Sequence, residues 1–173
     1  MGGVRLNEAM SLSPHSARPT DLSAADRAEF AALVRKGGEV KAEGLEDRID
    51  RAASLVLLRH DGQLIGIAAV KNPYQSYRAK IARKSGIELP SDRFPFELGW
   101  VFVDEAFRGR HLSRNLVACA LDFIDDVGIF ATSRADNANM HRTMNHFGFE
   151  AQGRDFHSDG GDYQLRLFVR AQG

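Results

Sequence analysis

A strand pattern that runs through a short turn into a long amphipathic helix is the feature that most constrains the fold of this chain. Residues 96–103, FELGWVFV, form the strand pattern, and residues 112–127 carry apolar side chains at helical spacing. One predicted strand face carries Leu98, Trp100 and Phe102, and the other carries Glu97, Gly99, Val101 and Val103. A strand that leads directly into a helix is typical of folds that mix the two elements.

The turn between strand and helix, residues 107–111 with the sequence FRGRH, has the composition of an anion site. Backbone N–H groups at a helix start have no partner within the helix, and the helix dipole favours negative charge there. Arg108 and Arg110 add positive charge, and Gly109 lets the backbone approach a ligand closely. We expect a phosphate or pyrophosphate site; an ordinary connection with solvated arginines is the alternative.

The rest of the chain predicts a mixed α/β fold (α+β type) with a central, largely antiparallel sheet. Two apolar runs at 54–60 and 63–70 flank Asp61-Gly62, a pair suited to a tight hairpin turn. The other predicted elements are helices at 22–38, 44–53 and 139–149, a connection with a short basic helix at 71–94, and strands at 128–133, 150–157 and 162–170.

Composition narrows the class of protein. The chain has 173 residues and 43% hydrophobic content, which suits one domain, predicted at residues 21–173 behind a flexible N-terminal arm at residues 1–20. The formal net charge of zero argues against a nucleic-acid partner or an anionic membrane surface. Cys119 is the only cysteine and no apolar run could span a membrane, so we expect a cytoplasmic protein. The histidines have no metal-binding spacing, so we expect no metal.

The segment ELGWVFVDEAFRGRHLSRNLV, residues 97–117, resembles the acetyl-CoA-binding motif of the GNAT N-acetyltransferase superfamily. That motif is a strand, then Arg/Gln-x-x-Gly-x-Gly/Ala, then a helix. Arg108 matches the first position, whereas His111 stands at the first glycine position and Ser113 at the last. The resemblance implies that the anion bound at this turn is the pyrophosphate of CoA.

A second segment and the order of the elements carry the same resemblance. Asn137, followed by a helix that ends in Gly148-Phe149, resembles the second CoA-side segment of the family. The family implies a mixed, mostly antiparallel central sheet flanked by helices, with strands that splay apart at the CoA site. It also implies acetyl-CoA as co-substrate. The implied cofactor-binding residues are Val101, Phe102, Val103, Arg108, Gly109, Arg110, His111, Leu112, Ser113 and Asn137.

The resemblance also points to a catalytic base and to a missing acid. Glu97 is a carboxylate on the strand before the turn, where histone-type members of the family carry their general base. The alternative for Glu97 is an ion pair with Arg93 or with a lysine of the 71–94 connection. Met144 stands where the family often has a tyrosine acid, and a thioether cannot donate a proton. His141 and His146 flank Met144 and are expected at the surface.

The implied activity is acyl-CoA-dependent N-acyltransfer, with acetyl passed to a primary amine of a small-molecule or peptide acceptor. The alternatives are a GNAT-like domain that binds CoA, or has lost it, and works as a sensor or scaffold, and a non-acetyl modification on the same fold. The 71–94 connection could cover the acceptor or meet an acidic one, or could be a solvated face. Acidic residues in and just before the loop that joins the last two strands, Asp155, Asp159 and Asp162, could attract a cationic amine. A homodimer is left open.

Overall fold

The computed structural model describes residues 12–38 and 41–173, so the predicted arm at residues 1–20 lies partly outside it. Its centre is a seven-stranded sheet. The strands are β1 (His15–Ala17), β2 (Ser54–His60), β3 (Gln63–Lys71), β4 (Phe96–Val103), β5 (Ile129–Arg134), β6 (Glu150–His157) and β7 (Gln164–Arg170). The helices are α1 (Ala24–Gly37), α2 (Leu45–Arg51), α3 (Gln75–Ser85), α4 (Leu112–Phe123) and α5 (Ala138–His146).

The strand order is β1-β2-β3-β4-β5-β7-β6. Within the described ranges, neighbouring strands run antiparallel except for β4 and β5, which run parallel. This confirms the predicted mixed fold with a mostly antiparallel sheet flanked by helices. The predicted hairpin is also confirmed, because Asp61 and Gly62 both have positive φ, 48° and 79°, as a two-residue type I′ turn requires.

The parallel strands β4 and β5 stay together for a short distance. Their ladder joins Phe96 to Ile129 and Glu97 to Phe130. Beyond these pairs β4 continues along β3 as far as Val103, whereas β5 continues along β7. The two strands therefore diverge, and because they are parallel the gap lies between their carboxyl ends. This gap is the splay that the family resemblance implies.

A β-bulge in β4 interrupts its ladder with β3. The register shifts between Gly99 and Phe102, so that Trp100 and Val101 together face the single residue Ala68. Trp100 has a φ of 52°, in the left-handed region that a bulky side chain rarely adopts. A non-glycine residue in this conformation marks a place where surrounding structure fixes the backbone.

The bulge also changes which faces the β4 side chains occupy. Leu98 packs beneath α4 in the same apolar cluster as Val101 and Val103. Trp100 and Phe102 pack on the opposite face, in the cluster that contains α1 and α2. The predicted grouping of Leu98 with Trp100 and Phe102 is therefore wrong, because the extra residue reverses the two-residue period.

Helix α3 confirms the predicted short helix inside the 71–94 connection, and a buried arginine fixes it in place. Arg78 is 4% exposed and donates to the backbone carbonyl oxygens of Leu89 at 3.1 Å, Phe94 at 2.5 Å and Pro95 at 3.3 Å. These bonds tie the chain between α3 and β4 to the helix. Ile81 of α3 packs in a third apolar cluster that includes side chains of β5, β6 and β7.

Candidate active site

A cavity of about 840 Å³ follows the gap between β4 and β5. One end, called here the turn end, is lined by Arg108, Gly109 and His111. The other, called the α3 end, is lined by Tyr77 and Glu97 together with residues of α3 and of the loop between β6 and β7. The cavity therefore connects the predicted anion site to the predicted base.

The turn before α4 leaves the helix start open to a ligand. His111 is the N-cap residue, and no side chain caps this helix. The N–H groups of its first turn can therefore meet an anion. Gly109 and His111 both have positive φ, 82° and 56°, a conformation that glycine adopts most readily. His111 thus takes the backbone conformation expected of the family's glycine while its side chain is exposed.

The two arginines of the turn differ in position. The Nε of Arg108 donates to the carbonyl oxygen of Val103 at 3.1 Å, and its guanidinium lies 5.5 Å from the ring centroid of Phe102. The guanidinium of Arg110 lies instead 5.6 Å from the ring centroid of Phe107. Arg110 does not line the cavity in the described part of the chain. The predicted cofactor-binding residues that do line it are Val101, Phe102, Val103, Arg108, Gly109, His111, Leu112, Ser113 and Asn137.

Glu97 lies inside the protein at the α3 end of the cavity. Glu97 is 2% exposed, and its Oε1 lies 2.7 Å from the Nζ of Lys71. Lys71 is the last residue of β3 and is the ladder partner of Glu97. Glu97 therefore forms the ion pair that was the alternative expectation, because Lys71 is the first residue of the 71–94 connection. The pair nevertheless lies within the cavity, where a carboxylate can meet a ligand.

Tyr77 brings α3 into contact with both diverging strands. Tyr77 lines the cavity together with Glu97 of β4 and Thr132 of β5. Burial, followed by the negative charge of Glu97, raises the pKa of Tyr77 well above its ordinary value. The hydroxyl therefore keeps its proton at neutral pH, so a protonated phenol lies near a carboxylate at the point where the strands separate.

Helix α5 contributes no acid at the expected position. Asn137 caps this helix by accepting from the N–H of Met140 at 3.1 Å. Met144 lines the cavity and is 3% exposed. His146 is exposed as expected, but His141 is half-buried, contrary to expectation, because its Nε2 lies 2.9 Å from the carbonyl oxygen of Arg134. Neither histidine lines the cavity in the described residues.

Acidic residues near the β6–β7 loop already have partners. Lys80 and Lys84 lie 2.9 and 2.7 Å from the carboxylate of Asp159, and hydrogen bonds from Lys84 and Lys80 hold the pKa of Asp159 well below its usual range. Asp155 lies 2.9 Å from Arg166. The two lysines thus attach the loop to α3. Asp155 and Asp159 already form ion pairs within the protein, which weakens their predicted attraction for an acceptor amine.

Two residues at the α3 end have no distinctive sequence signal. Lys71 reads only as the polar end of an apolar strand, and Tyr77 only as an aromatic residue on a basic helix. Lys71 meets Glu97 because of the β3–β4 register, and Tyr77 meets it because of where α3 packs. Both facts depend on tertiary structure.

Two absences hold for residues 12–38 and 41–173. No group of three or more histidine, cysteine, aspartate or glutamate side chains there could hold a metal ion. No helix there is long and apolar enough to cross a membrane.

The fold defines a class of α/β protein in which two parallel strands diverge beside an uncapped helix start. A cavity of this kind suits an extended ligand with a phosphorylated end. The chain belongs to the Acetyltransferase (GNAT) family, whose model matches residues 20–149. This match confirms the resemblance of the turn and of the segment around Asn137. A search of curated proteins finds no match.

Solved structures share the fold at low sequence identity. An acyl-CoA N-acyltransferase from Pseudomonas aeruginosa is 18% identical with a TM-score of 0.66, over 92% of this chain and 99% of that one. ElaA from Escherichia coli is 16% identical with a TM-score of 0.63, over 92% and 99%. The putative acetyltransferase yncA from Salmonella typhimurium, solved with its cofactor acetyl-CoA, is 15% identical with a TM-score of 0.62, over 93% and 94%.

Proposed function

We propose that this protein is an N-acetyltransferase that uses acetyl-CoA to acetylate a primary amine of a small-molecule or peptide acceptor. The observation that carries the proposal is the continuous cavity from the Arg108 turn to Glu97. One end suits a pyrophosphate and the other holds a carboxylate beside a proton donor. The cytoplasm is the proposed location, on the grounds of the single cysteine.

The residues at the turn end fit the phosphorylated part of CoA. Arg108 supplies a fixed positive charge, and the first-turn N–H groups of α4 supply hydrogen-bond donors. Gly109 leaves room for close approach. Along β4, the segment Val101–Val103 lines the gap where an extended ligand arm would run. Acetyl-CoA supplies the reactive thioester when bound.

At the α3 end, the proposed base is Glu97. It accepts a proton from the acceptor ammonium, which leaves a neutral nitrogen able to attack the thioester carbonyl. The side chain is buried, so water competes little for its oxygens. The Lys71 ammonium now occupies this carboxylate, so an acceptor amine must replace Lys71 before Glu97 can act on it.

Tyr77 is the proposed proton donor in place of the tyrosine that Met144 replaces. Tyr77 would give its proton to the departing CoA sulfur, the second proton lost by the acceptor nitrogen would replace it on the phenolate, and the proton on Glu97 would leave to water. The pKa of Tyr77 is raised partly by the negative charge of Glu97. Once Glu97 has taken the amine proton, that contribution disappears and Tyr77 donates more readily.

Replacing Tyr77 with Phe should lower turnover about 100-fold, because the ring stays but the proton donor is lost. Tyr74→Phe is the matched control, since Tyr74 is 43% exposed just before the same helix. Steady-state rates with acetyl-CoA and an accepted amine measure both. Equal rates for the two variants would exclude Tyr77 as the donor.

Replacing Arg108 with Ala should weaken acetyl-CoA binding about 10- to 100-fold, because a charged contact to the pyrophosphate is lost. Isothermal titration calorimetry of the parent protein and the variant measures the change. Arg83→Ala, an exposed arginine on α3, is the control. Binding by the parent supports the proposed function, whereas no binding would favour a domain that has lost CoA. Equal affinities for parent and R108A would exclude the Arg108 contact.

A further inference from the structure

The ammonium group of Lys71 occupies the place that an acceptor amine needs. Lys71 ends β3 opposite Glu97, and its Nζ lies 2.7 Å from the Oε1 of the proposed base. The same Nζ lies 4.6 Å from the ring centroid of Trp100 and 5.7 Å from that of Tyr77. A primary amine is therefore held by a carboxylate and two aromatic rings inside the cavity.

A glycine on β4 lets the lysine lie in this position. A Cβ added at Gly99 would come within 2.5 Å of the Cδ of Lys71. The lysine stem therefore lies against the one place on β4 where no side chain blocks it.

Other lysines of the cavity are arranged differently. Lys41, Lys80 and Lys84 also line it, and the ammonium groups of Lys80 and Lys84 are held by Asp159 on the β6–β7 loop. Of the four lysines that line the cavity in the described part of the chain, Lys71 is the one paired with the proposed base. The other lysines therefore serve as internal controls, because they carry the same ammonium group in the same cavity.

We propose that Lys71 is a self-acetylation site, modified by the acetyl-CoA bound to the same chain; this rests on the proposed function. Lys71 gives one proton to Glu97, and its neutral Nζ forms a bond to the thioester carbonyl carbon. The carbon–sulfur bond breaks as the amide forms. The second nitrogen proton passes to the CoA sulfur by way of Tyr77, and the proton on Glu97 leaves to water.

Acetylation of Lys71 would change the charge next to Glu97. An acetylated Lys71 carries no charge, so its ion pair with Glu97 is lost and the carboxylate becomes available to an external amine. The neutral amide keeps the stem against Gly99. Self-acetylation would therefore prepare the base that the unmodified lysine occupies.

Intact-protein and peptide mass spectrometry after incubation with acetyl-CoA, without an acceptor, tests this inference. One acetyl group per chain should appear, located on Lys71 and absent from K71R. Lys41, Lys80 and Lys84 should remain unmodified over the same period. Glu97→Gln should slow the modification strongly, and Gly99→Ala should also slow it, because its Cβ displaces the lysine stem while the lysine remains.

Calorimetry on the same preparation separates this inference from the proposed function. Acetyl-CoA binding without modification of Lys71 overturns the inference and leaves the acetyltransferase proposal standing. Modification of Lys80 and Lys84 at the Lys71 rate, or an equal rate in denatured protein, also overturns it, because acetylation would then be a property of lysine alone. No binding of acetyl-CoA overturns both proposals.

Discussion

Replacing Glu97 with Gln should lower the turnover number about 10²- to 10⁴-fold and leave acetyl-CoA affinity unchanged. The amide keeps the size of the side chain but cannot accept a proton. Glu97 lies at the α3 end of the cavity, apart from the turn that is proposed to bind the pyrophosphate. Steady-state kinetics with an accepted amine and a calorimetric titration measure the two quantities.

The matched control for this change is Glu88→Gln. Glu88 is an exposed carboxylate on the segment between α3 and β4, so its loss changes the net charge equally without touching the cavity. In E97Q the ammonium of Lys71 loses its partner but is 20% exposed and can be hydrated. A turnover number for E97Q equal to that of E88Q would remove Glu97 from the mechanism.

Local sequence patterns predicted the β2–β3 hairpin and the start of the helix at the turn end. The Asp61-Gly62 pair and its flanking apolar runs specify a two-residue hairpin, and the structure contains it. The helix start after FRGRH depends only on neighbouring residues, and α4 begins at Leu112. Features encoded over a few consecutive residues can be predicted because chain geometry alone relates their atoms.

The bulge at Trp100 shows where the pattern fails. Alternation assumes a period of two along the whole strand, and one extra residue reverses it. Gly99 within FELGWVFV is a local hint of a bulge, but it does not specify that the positive φ falls on Trp100. The ladder pairs that precede the bulge, Lys71 with Glu97 and Ala69 with Gly99, place Gly99 beside Lys71.

The α3 end depends on contacts between distant segments. Tyr77 meets Glu97 and Thr132 because α3 packs across the sheet, and Lys71 meets Glu97 through the β3–β4 register. Sequence resemblance selected Glu97 as the candidate base and revealed the substitution at Met144, since both lie in motifs of the family. It could not find Tyr77, which lies in a connection outside those motifs.

Replacing Arg78 with Ala should lower the free energy of unfolding by about 3 kcal/mol. Arg78 is 4% exposed, and its charged donors satisfy the carbonyl groups of Leu89, Phe94 and Pro95. Without the guanidinium these carbonyl oxygens lose their donor, and α3 loses its attachment to the chain that enters β4. Urea unfolding measures the loss, and the melting temperature should fall about 2–4 °C per kcal/mol.

The control is Arg83→Ala on the same helix, which should change the free energy of unfolding by about 0.5 kcal/mol or less, because its side chain is exposed. Equal stability of R78A and R83A would mean that water satisfies the carbonyls and that packing alone holds α3, and with it Tyr77, against the cavity.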